Sequence, residues 1–187
     1  MENTSLQSAL LVMDFQPAIL SRYPETTAII PNVLKAIDHA REQQLPVFYI
    51  RVGFRAGAPE INPINKMFGA SKHLYANVNP EDFMRLTPEL HPREDEWIIT
   101  KRRISAFAGN DLEMLFRAQH IQHLILAGVS TSGVVLSTVR EAADKDYKLT
   151  VLSDCCFDGD PEVHSVLLNK VFPRQADVLT CSEWIGK

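Results

Sequence analysis

A doubly wound α/β fold with six parallel strands is predicted by three features of the sequence. Short apolar runs alternate along the whole chain with segments of helical period. The runs are apolar on both faces, so each strand must be covered on both sides, which only a parallel sheet between two helix layers provides. The stretch from Leu124 to Arg140 passes from such a run through a loop of small residues directly into a helical pattern. Backbone N–H groups freed at a first helical turn, together with the helix dipole, make that kind of junction a cradle for negative charge.

The elements follow in order. Ala9 to Met13 is an all-apolar strand, and Thr27 to Gln43 carries helical spacing through Ile29, Val33, Ala36, Ile37 and Ala40. Pro46 to Val52 reads as the second strand and Trp97 to Thr100 as the third. Asp111 to Ala118 is helical, with Leu112, Leu115 and Phe116 on one face and Asn110 as N-cap. His123 to Ala127 is strand four, and Ser132 to Lys145 is a helix on Val135, Leu136, Val139, Ala142 and Ala143. Lys148 to Leu152 is strand five. Asp160-Pro161-Glu162 then opens a helix with a capping side chain, a proline where no N–H is needed and an early acid; it runs to about Phe172. Ala176 to Thr180 is strand six. The segment from Gly53 to about Arg93 is irregular and holds Pro59, Pro63, Pro80, Pro88 and Pro92. A loop that long inside a compact domain is a functional lid or a subunit-bridging arm.

At 187 residues the chain is expected to form one domain, residues 1–187, with a sizeable core. Its 45% hydrophobic and 22% charged composition is that of a soluble globular protein, and a net charge of -4 gives no reason to bind nucleic acid or anionic membrane. Small-molecule partners are favoured. No apolar run approaches the ~20 residues that cross a bilayer, and the N-terminus lacks a basic region followed by an apolar one, so a cytoplasmic location is expected. Cys155, Cys156 and Cys181 have no metal-like spacing and suit reduced thiols. His120 and His123 straddle a helix-to-strand connection, so neither a metal nor another cofactor is expected. The irregular segment and apolar helix faces point to a homo-oligomer, dimer or tetramer.

Ligands of open parallel sheets bind at the carboxyl ends of the strands. Three places qualify: Asp14 after strand one, Lys101 after strand three, and Gly128 to Val134 after strand four. Singly, Asp14 is also readable as a turn acid and Lys101, followed by Arg102 and Arg103, as part of a solvated basic turn. Together, a carboxylate and an ammonium in a half-buried pocket favour each other's charged form while burial opposes both, a balance that poises either for proton transfer or makes a structural salt bridge. No Gly-x-Gly-x-x-Gly follows strand one, where Asp14-Phe15-Gln16-Pro17 stands, so dinucleotide binding is set aside.

Leu-Leu-Val-Met-Asp-Phe-Gln near the N-terminus, Thr-Lys-Arg-Arg-Ile-Ser-Ala-Phe in the middle and Leu-Ala-Gly-Val-Ser-Thr-Ser-Gly-Val-Val-Leu-Ser-Thr-Val-Arg-Glu-Ala-Ala later resemble the isochorismatase-like hydrolases, in the right order over nearly the whole chain. Ser-Asp-Cys-Cys-Phe-Asp-Gly-Asp-Pro-Glu-Val-His and Phe-Pro-Arg-Gln-Ala-Asp-Val-Leu-Thr extend the likeness. The resemblance implies strand order 3-2-1-4-5-6 and an active site of an acid, Asp14, a lysine, Lys101, and in most members a cysteine. It further implies a cis peptide between Val129 and Ser130, and an anion hole from the backbone N–H groups of Ser130 and Val134.

The departure from that pattern carries as much as the match. The cysteine position falls on Val134, which cannot form a thioester. The Asp-x-His of zinc-binding relatives is replaced by Arg51-Val52-Gly53-Phe54, so the resemblance implies no metal. Members that cleave enol ethers also dispense with the thiol, because protonating a vinyl carbon needs an acid rather than a nucleophile. Cys155 and Cys156 follow strand five and read as small buried hydrophobes. Phe107 is the first choice among Phe15, Phe54, Phe68 and Phe107 to wall the pocket, with Gln16 and Arg55 orienting polar substrate groups. The leading expectation is a small-molecule hydrolase using Asp14 and Lys101 without a covalent intermediate. The alternative, motivated by Val134, is an inactive member kept as a small-molecule-binding or oligomeric interaction protein.

Overall fold

The computed structural model describes residues 6–187; residues 1–5, part of the stretch searched for a leader segment, lie outside the described residues. The chain runs β1 (Gln7–Met13), α1 (Pro17–Leu20), α2 (Ile30–Glu42), β2 (Val47–Val52), α3 (Lys66–Ala70), α4 (Lys72–Asn77) and α5 (Pro80–Phe83). It continues with β3 (Trp97–Lys101), α6 (Leu112–Ala118), β4 (Ile121–Val129), α7 (Leu136–Asp144), β5 (Lys148–Phe157), α8 (Pro161–Val166), β6 (Asp177–Leu179) and α9 (Cys181–Ile185). The strands form one six-stranded sheet in the order β3-β2-β1-β4-β5-β6, all neighbours parallel.

Alternation along the strands sorts the core into two layers. Ala9, Leu11 and Met13 of β1, with Leu124 and Leu126 of β4, face one way against Phe116 of α6 and Val139 of α7. Leu10 and Val12, with Ile125 and Ala127, face the other way against Val33, Ile37 and Ala40 of α2. The strands of the sheet centre therefore read as unbroken apolar runs, because both faces are buried.

Departures from the predicted elements have local causes. The expected helix from Thr27 to Gln43 is split into a 3-10 turn, Pro24–Ala28, and α2. Pro31 forces this, since a residue without an N–H is tolerated only in a first helical turn. The helix expected from Ser132 begins as one π turn, Thr131–Val135, in which Val135 N–H donates to Ser130 O at 3.3 Å. Asp160 caps α8 as expected, accepting from the N–H groups of Glu162 and Val163. That helix changes at Leu167–Val171 to a π turn and at Phe172–Arg174 to a 3-10 turn, where Pro173 removes a donor. Asn110 lies one residue before the N-cap Asp111, yet its side chain accepts from Leu112 N–H at 3.0 Å. Strand β5 outruns its expected end at Leu152: after a register shift, Cys156 and Phe157 pair with Gly128 and Val129. Helix α9 is an addition, announced by the capping box of Thr180 and Glu183.

The irregular segment folds over the carboxyl edge of the sheet as the three short helices α3, α4 and α5 around a small core of Val52, Phe54, Ala58, Ile61 and Phe68. Gly69 is required there, because a Cβ would collide with the carbonyl of Pro63. No helix among the described residues is long and apolar enough to cross a membrane.

His123, in β4, sits between the hydroxyls of Ser8 and Thr150 at 3.0 and 2.9 Å. Burial, with the Lys148 charge adding, pushes its imidazole down to about 4. A folded value below the unfolded one gives stability that is present above pH ~6.5 and lost as pH falls through the folded value. Denaturant titrations should show His123→Gln losing less stability than the unsubstituted protein between pH 7 and 4.5, a difference on the order of 2 kcal/mol. Parallel acid curves for the two would remove His123 as the cause.

Candidate active site

Asp14 ends the ladder of β1, its N–H donating to Ile50 O at 2.8 Å, and its φ of 62° turns the chain out of the sheet. Left-handed backbone is uncommon for a non-glycine residue but open to Asp and Asn. Lys101 is the last residue of β3, paired with Val52 of β2. Strands β1 and β3 are separated by β2, a gap of about 10 Å at normal sheet spacing. The four-carbon lysine stem crosses it. Lys101 Nζ lies 2.9 Å from Asp14 Oδ2, and both side chains are buried.

Lys101 spends its other two protons on Arg103 O at 3.1 Å and Ile104 O at 3.0 Å, so its donor capacity is filled by the protein. Asp14 Oδ1 is buried without a hydrogen-bond partner among the described residues. Burial holds the Asp14 carboxyl above its ordinary range, opposed by the charge and hydrogen bond of Lys101. This acid has one oxygen fixed and the other free to hold or release a proton.

Both side chains line a cavity of about 130 Å³ at the carboxyl edge of the sheet, with Val129, Ser130, Gly133 and Val134 from the strand-to-helix turn on one side. The Val129–Ser130 peptide is cis. Most amides of the turn are committed within the protein. Gly133 and Val135 N–H donate to Ser130 O, and Ser132 N–H donates to Asp158 Oδ2 at 2.6 Å. The N–H group of Ser130 makes no such bond among the described residues.

The isochorismatase domain family matches residues 8–183. The chain belongs to the isochorismatase family. It is 30% identical over 188 residues to the uncharacterized isochorismatase family protein YecD of Escherichia coli O157:H7, covering 98% of this chain and 97% of that one. It is 28% identical over 182 residues to the ureidoacrylate amidohydrolase RutB of Acinetobacter baylyi, covering 84% of this chain and 74% of that protein. The crystal structure of an isochorismatase-like hydrolase from Alkaliphilus metalliredigens superposes with a TM-score of 0.79 at 28% identity, over 96% of this chain and 98% of the other. By family and by these relatives the chain is classed as a hydrolase.

Within the family frame, Asp14, Lys101, Ser130 and Val134 converge on one cavity, while three expected residues do not line it. Gln16 is fully buried and its amide is consumed by backbone: it donates to Val52 O and Phe83 O and accepts from Val52 N–H. It pins the irregular segment to the sheet instead of orienting substrate. Arg55 points away, exposed and paired with Glu60 at 2.7 Å. Phe107 packs edge-on against Phe116 in the core beneath the sheet, five residues after the turn at Arg102 has carried the chain away from the cavity. The aromatic wall comes from Tyr23, Phe68, Tyr75 and Phe83. Tyr75 and Phe83 lie in the irregular segment, where no periodicity assigns a face. Arg22 and Tyr23 lie beyond α1, where the strand-end rule that led to Asp14 does not single them out.

Proposed function

We propose that the chain hydrolyses a small anionic or carbonyl-bearing molecule, with Asp14 as general acid and base, Lys101 as its charge partner and water, rather than a thiol, as nucleophile. One observation carries this reading: a buried 2.9 Å Asp14–Lys101 pair lines a cavity together with Val134, the residue that the resemblance puts at the family's cysteine position. No cysteine lines that cavity. Burial pushes the Cys155 thiol up and the Cys156 thiol to about 12, so neither is a thiolate near neutral pH.

For an enol ether, Asp14 gives its proton to the vinyl carbon, water adds to the resulting oxocarbenium carbon, and a proton of that water returns to Asp14. The hemiketal then breaks into a carbonyl compound and an alcohol. For a C–N bond, Asp14 takes a proton from water as the oxygen attacks the carbonyl, and Ser130 and Val134 N–H receive the oxyanion. Asp14 then passes the proton to the leaving nitrogen. Free buried thiols at Cys155, Cys156 and Cys181 support a reducing, cytoplasmic setting. Exposed Ile64, Met67, Leu74 and Val78 on the irregular segment support a homo-oligomer.

Turnover should be sought on a panel of enol ethers, amides and imides, before and after treatment with iodoacetamide. Hydrolysis unchanged by alkylation is the expected result. In Val134→Cys, which puts a thiol of smaller volume at the cavity, alkylation should remove most of that activity by filling the cavity. No turnover on any compound, with ligand-induced thermal shifts retained, would leave a binding protein in place of the enzyme.

A further inference from the structure

One cation of the cavity lining is exposed and has no partner among the described residues. Asp14 and Lys101 neutralise each other, and Lys101 has no proton left for a ligand. Arg22 is the remaining charged residue of the lining, and its guanidinium has neither a hydrogen bond nor an ion pair among the described residues. It stands on the turn after α1, held by Arg22 N–H to Ile19 O at 3.1 Å. Arg22 and Tyr23 also line a second, larger cleft of about 720 Å³, so they form the neck between the two spaces. The Tyr23 hydroxyl is likewise without a partner among the described residues, and its ring is fixed against Phe157 at 5.7 Å.

A cavity of about 130 Å³ takes a reacting group rather than a whole metabolite-sized ligand. We infer that Arg22, with the Tyr23 hydroxyl, binds a carboxylate of the substrate at this neck, so that the substrates are small carboxylic acids whose cleaved bond lies a few atoms inward, beside Asp14. A guanidinium fork and a phenol hydroxyl match the planar, two-oxygen geometry of a carboxylate. The cleft beyond the neck is acidic. Glu25, Asp154 and Asp158 line it, and the two aspartates are already fixed by Cys181, Ser132 and Asp160 N–H. An anion that slid past Arg22 would meet these charges, which sets the depth of binding by repulsion as well as attraction. The position of the cleaved bond rests on the hydrolase reading; the carboxylate site itself does not.

Calorimetric titration with benzoate and its neutral isostere benzamide tests the site. The unsubstituted protein should bind benzoate roughly five- to tenfold more tightly than benzamide, the range for a charge-assisted contact that water partly screens. Arg22→Gln should erase that preference, Arg22→Lys should keep part of it, and Tyr23→Phe should reduce it. Equal preference in Arg22→Gln, or none in the unsubstituted protein, overturns the assignment. A preserved preference without turnover on the compound panel sinks the hydrolase reading alone, and turnover on neutral and anionic compounds alike sinks the carboxylate site alone.

Discussion

Asp14→Asn is expected to lower kcat/KM by about 10³, within the span that positioned acid–base groups contribute, while leaving the protein folded. The expectation joins backbone and side-chain geometry. Asparagine tolerates the left-handed φ of 62° that position 14 imposes. It is isosteric with aspartate, and its carbonyl oxygen can still accept from Lys101 Nζ, which also keeps Arg103 O and Ile104 O. The ammonium loses its counter-charge, but a carboxylate that burial disfavours is removed at the same time. The two changes offset, so thermal unfolding should move by only a few degrees. What cannot be replaced is the taking up and giving of a proton at Oδ1, because an amide does neither near neutral pH. Steady-state kinetics beside a melting curve decide the case: full activity in a folded Asp14→Asn would remove Asp14 from the chemistry.

How far the sequence displays this site depends on which interactions are local. The doubly wound sheet is legible because central strands must be apolar on both faces, a property of five consecutive residues such as Ala9 to Met13. The pairing of Asp14 with Lys101 is legible through position alone: both stand at strand ends, and strand ends share one edge of a parallel sheet. Gln16 misleads for the same reason. It also follows a strand, but its amide matches three backbone groups of β2 and α5, a long-range coincidence that no local pattern encodes. Tyr75 and Phe83 are hidden differently, since short helices joined by prolines carry no period from which an inward face can be read. Arg22 lies eight residues past Asp14 and beyond α1, out of reach of the strand-end rule. Its significance emerges only when every other charge in the lining is seen to be paired.

Lys101→Met should produce the second large loss, about 10² in kcat/KM, with a signature in pH that a merely structural lysine would not give. Burial already holds the Asp14 carboxyl above its ordinary range, and Lys101 is the leading influence pulling it down. Removing the ammonium therefore raises that carboxyl further. If Asp14 acts as an acid in the limiting step, the rate falls as pH rises through its ionisation, and this limb should move to higher pH in Lys101→Met. If it acts as a base, the rising limb at low pH should move upward instead. Stability follows the same linkage. A carboxyl whose folded value is raised contributes stability below the ordinary carboxylate range and loses it as pH rises through the folded value. Loss of one member of a buried pair costs about 3–5 kcal/mol when the other stays charged, and less when it can take up a proton. Lys101→Met should accordingly be closest to the unsubstituted protein in acid and fall behind it toward neutral pH. A pH–rate limb and a stability difference that both stay fixed in the variant would mean that Lys101 holds the turn at Arg103 and Ile104 without tuning Asp14.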